Sequence, residues 1–339
     1  MLLPKRGRMR SPRFWQAGGW RAVALAPLGC LWAAGVWLHR ALAKPYRSSI
    51  PVICVGNLVV GGTGKTPVAI AIAEYFKEHG GTPHLLSRGY GGSAKGPILV
   101  EPGHHDASQV GDEALLLAAS APTWVGGNRA LSARAAEAAG ATCLILDDGL
   151  QNPTLAKDMS LIVVDGGFGF GNGRLLPAGP LREPIGRGLC RAAGLVLIGQ
   201  DRTGVADGLA AGLPILRARL APGPEFSQLK GRRVLAFAGI GRPEKFFESL
   251  REAGLEIVGT REFSDHHPYR DGEIEALLDE AATLDAVAVT TVKDAMRLPP
   301  SLRARILALP VHIEWEDRAA FEALLRPFLG KKKGAIGPS

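Results

Sequence analysis

The sequence predicts an α/β protein with two sheet domains, a parallel-sheet domain followed by a second, smaller α/β domain, and a helix ahead of both. Two observations predict the sheets. Short, wholly apolar runs such as Cys143-Leu-Ile-Leu146 and Leu195-Val-Leu-Ile198 alternate with helical segments, as strands buried on both faces of a parallel sheet do. A linker-like Ala221-Pro-Gly-Pro224 then separates this set from a second alternating set. A third observation predicts the leading helix: a basic start runs into a long apolar stretch, Ala22 to Leu38. The expected boundaries are 1–45 for a basic, apolar membrane-associating segment, 46–222 for the first sheet domain, 223–330 for the second and 331–339 for a disordered basic tail.

At 339 residues, 46% of them hydrophobic, the chain has material for two cores, and wholesale disorder is excluded. The net charge of +8 is concentrated at one end. No Asp or Glu precedes Glu74, whereas ten Lys or Arg do, and the remainder is close to neutral. A basic arm argues for a local anionic partner, a membrane surface rather than nucleic acid. A monomer is expected. Cys30, Cys54, Cys143 and Cys190 form no C-x-x-C pair and read as reduced thiols in a reducing compartment.

The N-terminal stretch admits several readings. Lys5, Arg6, Arg8, Arg10 and Arg13 precede the apolar run, and Trp20, Trp32 and Trp37 lie in or beside it. A secretory signal has such a start, and Ala41-Leu-Ala43 offers a cleavage site. A spanning helix needs about 20 apolar residues, and Pro27, Gly29 and Gly35 interrupt a run that is slightly short. A buried core helix is a further reading. Basic flanks with tryptophans fit an interfacial or single-anchor helix best.

After the polar linker Lys44–Ser49, a strand (Val52–Asn57) opens into Leu58-Val-Val-Gly-Gly-Thr-Gly-Lys-Thr-Pro67 and a helix from Val68 to His79. This is the P-loop of an NTPase-like domain. Gly61, Gly62, Thr63 and Gly64 let backbone N–H groups face phosphates, Lys65 reaches the outer phosphates, and the Thr66 hydroxyl suits Mg²⁺. Pro67 sits where a missing N–H is harmless. The first glycine of G-x4-G-K-T is replaced by Val59. Gly80-Gly81 stops the helix. The strand Pro83–Ser87 leads to the loop Arg88-Gly-Tyr-Gly-Gly92, and Ile98–Glu101 forms a small strand. Val110-Gly-Asp-Glu113 opens a helix, and Asn128 caps another that ends at Gly140. The Cys143–Leu146 strand ends at Asp147-Asp148, where P-loop enzymes carry a metal-holding Asp. Neighbours on a strand point apart, so one of the two is closer to the metal, and Asp148 is favoured. Leu161–Val164 is followed by a glycine-dense loop and by Arg174 to Pro184, a Pro/Gly-constrained loop that carries Arg174, Arg182 and Glu183 and whose arginines suit phosphate recognition.

The second domain is read from strands at Arg233–Ile240, Leu255–Val258, Ala286–Thr290 and Val311–Glu314. Its polar cluster is Phe263-Ser-Asp-His-His-Pro-Tyr269, where an Asp beside a His can form an acid–base pair. Adjacent histidines rarely serve one metal ion, and no other His or Cys completes a set. Guanine recognition by Asn/Thr-Lys-x-Asp fails here, because Thr291-Val-Lys-Asp294 places Lys and Asp side by side. Asp112 on its own reads as a carboxylate favoured at a helix start.

Taken in order, several runs resemble the tetraacyldisaccharide 4'-kinase family, the lipid A kinases of Gram-negative bacteria. They are Gly61–Pro67, Ser87–Gly92, Val110–Glu113, Asp147-Asp-Gly-Leu-Gln151, Gly171–Pro184, Ala236-Phe-Ala-Gly-Ile-Gly241 and Asp265-His-His267. Val292 stands where the family carries an acid, and Leu150 where an aromatic is common. The resemblance implies ATP-dependent phosphorylation of the 4'-hydroxyl of a tetraacyl glucosamine disaccharide 1-phosphate in lipid A biosynthesis. It implies ATP and Mg²⁺ as cofactors and work at the cytoplasmic face of the inner membrane. It gives Lys65 the β/γ-phosphates and Thr66 the Mg²⁺, with Asp148 and Glu183 in the metal neighbourhood. It makes Asp112 the general base and His266, or alternatively His267, its dyad partner, with the second domain closing over the nucleotide. Two other classes compete: a membrane-associated P-loop ATPase coupled to transport or metal insertion, hydrolysing ATP without a labelled lipid product, and a nucleotide-switched adaptor with little turnover.

Overall fold

The computed structural model describes residues 12–208 and 212–330. The basic cluster Lys5–Arg10 and the tail 331–339 lie outside the described residues. Among the described residues thirteen strands form two sheets. The larger contains β1 (Val52–Gly56), β2 (Pro83–Ser87), β3 (Ile98–Leu99), β4 (Thr123–Val125), β5 (Cys143–Asp147), β6 (Met159–Asp165), β7 (Gly194–Ile198), β8 (Ile215–Pro222) and β13 (Val311–Trp315). Its order is β13-β8-β7-β6-β1-β5-β2-β4-β3. β1 lies between β5 and β6, parallel to both, and β3 is antiparallel at one edge. The central strands are buried along their whole length, which is why they read as unbroken apolar runs.

The smaller sheet contains β9 (Arg233–Ala238), β10 (Glu256–Glu262), β11 (Val287–Thr291) and β12 (Leu307–Leu309), in the order β10-β9-β11-β12 and parallel throughout. Helices Pro243–Glu252 and Asp271–Thr283 supply Phe246, Phe247 and Leu250 to one face of it, and Ile274 and Leu277 to the other. A fold of two α/β units, the larger built on a parallel sheet, is as the sequence predicts.

The boundary between the units differs from expectation. Residues 221–312 form one compact unit, and 12–220 with 313–330 form the other. The segment 313–330, grouped by sequence with the smaller domain, belongs to the larger. β13 neighbours β8. Trp315 stacks on Phe321 at 4.2 Å, and Phe321 meets Tyr75 of the P-loop helix edge to face. An alternating strand at the end of a domain carries no local sign of which sheet it joins, and the aromatic contacts decide it.

The helix Trp20–Ala41 lies mostly exposed, by length and composition long and apolar enough to cross a membrane. A core helix would be buried, and Trp20 and Leu31 are 76% and 70% exposed. It meets the 174–184 segment at Leu175 and at Arg182. Gly29 approaches Leu175, where an added Cβ would lie 3.4 Å from the Leu175 Cβ. The Trp32 indole donates to the Arg182 carbonyl at 2.9 Å.

Caps sit where their sequences place them. Asn128 Oδ1 accepts from the N–H groups of Ala130 and Leu131. Gly80 follows the P-loop helix with φ 76°, the left-handed conformation that ends helices. Gly56, last in β1, is held by a close approach, since a Cβ there would sit 2.5 Å from the Leu150 Cβ. Gly56→Val is therefore expected to destabilise the protein by about 1–3 kcal/mol through overpacking and to displace the Asp148–Gln151 turn. Urea denaturation checks the first effect, and weakened ATP-induced thermal stabilisation the second.

Candidate active site

The P-loop begins where β1 ends. Asn57, fully buried, donates through Nδ2 to the Gly61 carbonyl (3.3 Å) and to Thr63 Oγ1 (3.2 Å), clamping the loop across its neck. Val59 is buried and bridges to Leu181. Position 59 is thus a packing position, which explains why glycine is absent there. The turning falls to Gly61 (φ 121°) and Gly64 (φ 88°), conformations that disfavour a Cβ. The helix starts at Lys65 with Gly64 as its N-cap and no side-chain cap, three residues earlier than the apolar pattern suggests. Gly61, Gly62, Thr63, Gly64, Lys65, Thr66 and Pro67 therefore form one loop and one helix start, the geometry of an anion cradle.

The two acids after β5 face different partners. Asp147 is 2% exposed and accepts the Thr66 hydroxyl on Oδ2 at 3.0 Å. Its other oxygen has no hydrogen-bond partner. Burial raises its pKa to about 7, helped by Glu113 and opposed by Lys65. Asp148 leaves the strand with φ 55°. It takes Arg182 Nη1 at 2.8 and 3.0 Å, and Lys65 Nζ at 3.9 Å. Burial opposes its charge, but Lys65 and Arg182 outweigh it and hold the carboxyl below the ordinary range. Sequence reasoning favours Asp148 as the acid closer to a metal, whereas the geometry puts Asp147 against Thr66 and Asp148 against Arg182 and Lys65. The reason is the left-handed step at 148, which no pattern of residue types reports.

The residues fit a Mg²⁺ ion of the P-loop kind. An unsatisfied buried carboxylate oxygen is costly unless something occupies it, and the other oxygen of the same carboxylate accepts from the threonine that such loops use. Among the described residues no set of three or more His, Cys, Asp or Glu is placed to hold a metal by itself. P-loop metals take few ligands from protein and the rest from phosphate and water.

Glu183 is engaged elsewhere. Its buried carboxylate takes Arg40 Nη1 at 3.0 Å, Arg191 Nη2 at 2.7 Å and Gln151 Nε2 at 3.1 Å. Burial raises its pKa against the pull of Arg40. Gln151 Nε2 also reaches the Asn57 carbonyl at 2.9 Å. Expected beside the metal, Glu183 instead links the end of the N-terminal helix to the P-loop neck. Arg174 is exposed, away from these contacts.

Asp112 is 3% exposed at the first position of the helix Asp112–Ala118. Its setting is made by two glycine loops pressed together. A Cβ on Gly111 would lie 2.6 Å from the Tyr90 carbonyl, and one on Gly92 would lie 2.4 Å from the Gln109 carbonyl. Asp112 Oδ1 accepts the Glu113 N–H at 2.9 Å, and the Glu113 carboxylate is close enough to Asp147 to help raise its pKa. Arg129, 2% exposed, lies within electrostatic reach of Asp147 and Asp148, a placement that sequence reasoning missed. Burial and the nearby Arg88 lower its pKa to about 10 while Asp148 and Asp147 raise it. As the first residue of a capped helix it reads as a solvated arginine, and nothing local signals its burial.

In the second unit the paired histidines separate. His267 Nε2 meets Glu273 Oε2 at 3.1 Å and packs on Phe263 and Tyr269. His266 has φ 57°, donates its backbone N–H to the Gly239 carbonyl at 3.0 Å, and has Nε2 3.7 Å from Asp265 Oδ1.

The chain matches known proteins along nearly its full length. The profile of the tetraacyldisaccharide-1-P 4'-kinase family covers residues 21–329. A tetraacyldisaccharide 4'-kinase of Rhodospirillum centenum is 51% identical over 330 residues, 96% of this chain and 98% of the relative. One of Paramagnetospirillum magneticum is 53% identical over 309 residues, 91% and 95% of the two chains. Among solved structures, LpxK from Aquifex aeolicus, crystallised in its "apo" form in complex with ATP, matches with a TM-score of 0.75 at 27% identity, covering 91% of this chain and 99% of that one. The chain belongs to the tetraacyldisaccharide-1-P 4'-kinase family.

Proposed function

We propose that this protein is an ATP-dependent kinase that phosphorylates the 4'-hydroxyl of a tetraacyl glucosamine disaccharide 1-phosphate in lipid A biosynthesis. The observation that carries the reading is the Thr66–Asp147 contact at the end of a glycine loop with Lys65, in a chain of this family. Gly61 to Pro67 bind the ATP phosphates, with Lys65 on the β- and γ-groups. Thr66 and Asp147 would hold Mg²⁺, which when bound neutralises charge on the β- and γ-phosphates. Asp148, paired with Arg182, keeps Lys65 and that arginine at the phosphate end. Glu183, given to the metal by resemblance, supports this arrangement through Gln151.

Asp112 is the proposed general base. It accepts the 4'-hydroxyl proton as the sugar oxygen attacks the γ-phosphorus and the bond to the β-phosphate bridging oxygen breaks. His266, with Asp265 beside it, is the dyad partner that raises the basicity of Asp112. The second unit closes over ATP to complete this pairing and exclude water. His267, held by Glu273 and two rings, shapes the loop instead.

The N-terminal helix brings the enzyme to its substrate. A lipid with several acyl chains stays in the bilayer. A helix exposing Trp20, Leu31, Trp32 and Trp37 between basic flanks suits the anionic cytoplasmic face of the inner membrane.

Incubation with γ-labelled ATP and the lipid acceptor is expected to give labelled lipid, and ATP hydrolysis without it would favour the transport ATPase. Asp112→Asn should lower kcat by about 10²-fold or more with little change in ATP affinity. A loss confined to ATP affinity would remove Asp112 from the base role.

Asp147→Asn tests the acid at Thr66. A pKa near 7 in the folded chain and an ordinary carboxylate value in the unfolded one mean that the folded state binds the extra proton between those values. The stability this gives is present at low pH and is lost as pH rises through about 7. The ligand-free variant should therefore have a higher Tm than the parent at pH 8 and a similar one near pH 4, while losing the stabilisation by ATP with Mg²⁺. Glu substitutions at the exposed Trp20 and Leu31 should release the protein from anionic vesicles in sedimentation while leaving ATP-induced thermal stabilisation intact.

A further inference from the structure

The Thr291-Val-Lys-Asp294 run takes no part in the mechanism above, yet it holds a fully buried carboxylate. Charged side chains are almost never so enclosed unless paired, and Asp294 is paired on every side. Oδ1 accepts the Gly239 N–H at 3.0 Å and the Tyr269 hydroxyl at 2.8 Å, and meets Arg297 Nη2. Oδ2 accepts the Thr291 hydroxyl at 2.6 Å.

These contacts tie the C-terminal ends of the adjacent parallel strands β9 and β11 to the loop that follows β10. Ligand chemistry in open α/β sheets gathers at such ends. The network leads to His266. Arg297 donates onward to the carbonyls of Gly239 (2.9 Å) and His267 (3.2 Å). The same Gly239 carbonyl receives the His266 N–H. His266 sits at φ 57°, a conformation that non-glycine residues keep only where the surroundings impose it. Gly239 has no room for a side chain, since a Cβ would lie 2.9 Å from the Tyr269 hydroxyl and 3.2 Å from Asp294 Oδ1.

We propose that Asp294, acting with Arg297 and Tyr269 through the Gly239 carbonyl, is a positioning residue that fixes the backbone of His266 for phosphoryl transfer. The inference rests on the reading of His266 as the partner of Asp112. Asp294 touches neither nucleotide nor sugar in this scheme, and its effect on the reaction passes through one histidine.

A double-mutant cycle tests it. In the full chain, Asp294→Asn and Tyr269→Phe are each combined with His266→Ala, and kcat, its pH profile and the KM for ATP are measured. Tyr269→Phe, which removes one O–H, should lower kcat about 3- to 10-fold and Asp294→Asn about 30-fold or more, with KM for ATP unchanged; contacting residues couple by amounts of this order. Both losses should vanish in the His266→Ala background, where the shape of the pH profile should also stop responding. Equal fold losses in both backgrounds, or a matching rise in KM, would overturn the proposal and leave Asp294 a purely structural residue. Should Asp294→Asn not fold, Tyr269→Phe carries the same comparison. If His266→Ala alone leaves kcat unchanged, the role of His266 itself fails and this inference falls with it.

Discussion

The structure depends on one register. β5 lies beside β1 with Asp147 opposite Val55, and the Thr66 hydroxyl reaches Asp147 from the first turn of the next helix. A slip of one residue would turn Asp147 to the other face of the sheet and leave Thr66 without its acid. The register is held by apolar burial, since Ile53, Cys54, Val55, Leu144, Ile145 and Leu146 are all fully enclosed. That burial also raises the pKa of Asp147 and leaves one of its oxygens unsatisfied. The sheet that aims the carboxylate at Thr66 also makes its charge costly.

Several short motifs prove to be halves of single packing units. Ser87–Gly92 and Val110–Glu113 lie on different elements, yet their backbones press together at Gly92 and Gly111 too closely for side chains. Two further bonds, Ser93 N to Ser108 O and Ala94 N to Gln109 O, seal the contact. Asp112 stands at the exit of that contact, so the glycines set where its carboxylate begins. Gly56 and Leu150 form a second such pair. Leu150 at a position where aromatics are common does a packing task, being 2% exposed in the core around β1.

Much of this was legible from residue types, and the rest was not for identifiable reasons. Apolar runs marked β1, β2, β5, β6 and β7, because buried parallel strands advertise themselves. β8 escaped because Ile215-Leu-Arg-Ala-Arg-Leu-Ala-Pro222 alternates arginine with apolar residues and is half exposed, and the end of it read as linker. β4 and β12 are three residues each, too short for a period. The roles within the site were harder. Asp147 and Asp148 differ by one backbone step into the left-handed region, and His266 and His267 differ in the same way. Glu183 owes its setting to Arg40, far away in sequence, and Arg129 owes its charge environment to Arg88, Asp147 and Asp148 on other elements. Chemistry-bearing residue types could be found one by one, but their division of labour is set by tertiary contacts.

The 174–184 segment supports the N-terminal helix and the phosphate loop at once. On one side Leu181 bridges to Val59, Arg182 N donates to the Leu58 carbonyl, and the Arg182 side chain grips Asp148. On the other, the N-terminal helix rests its Gly29 on Leu175, its Trp32 on the Arg182 carbonyl and its Arg40 on Glu183. Arg182 thus faces the phosphate loop with its guanidinium and the apolar helix with its carbonyl. A flexible tether would leave the distance between bilayer and P-loop undefined. Under the proposed attachment, a helix held at three points on a proline-rich segment would fix it, and for an acceptor hydroxyl at the lipid surface that distance would be part of the active-site geometry.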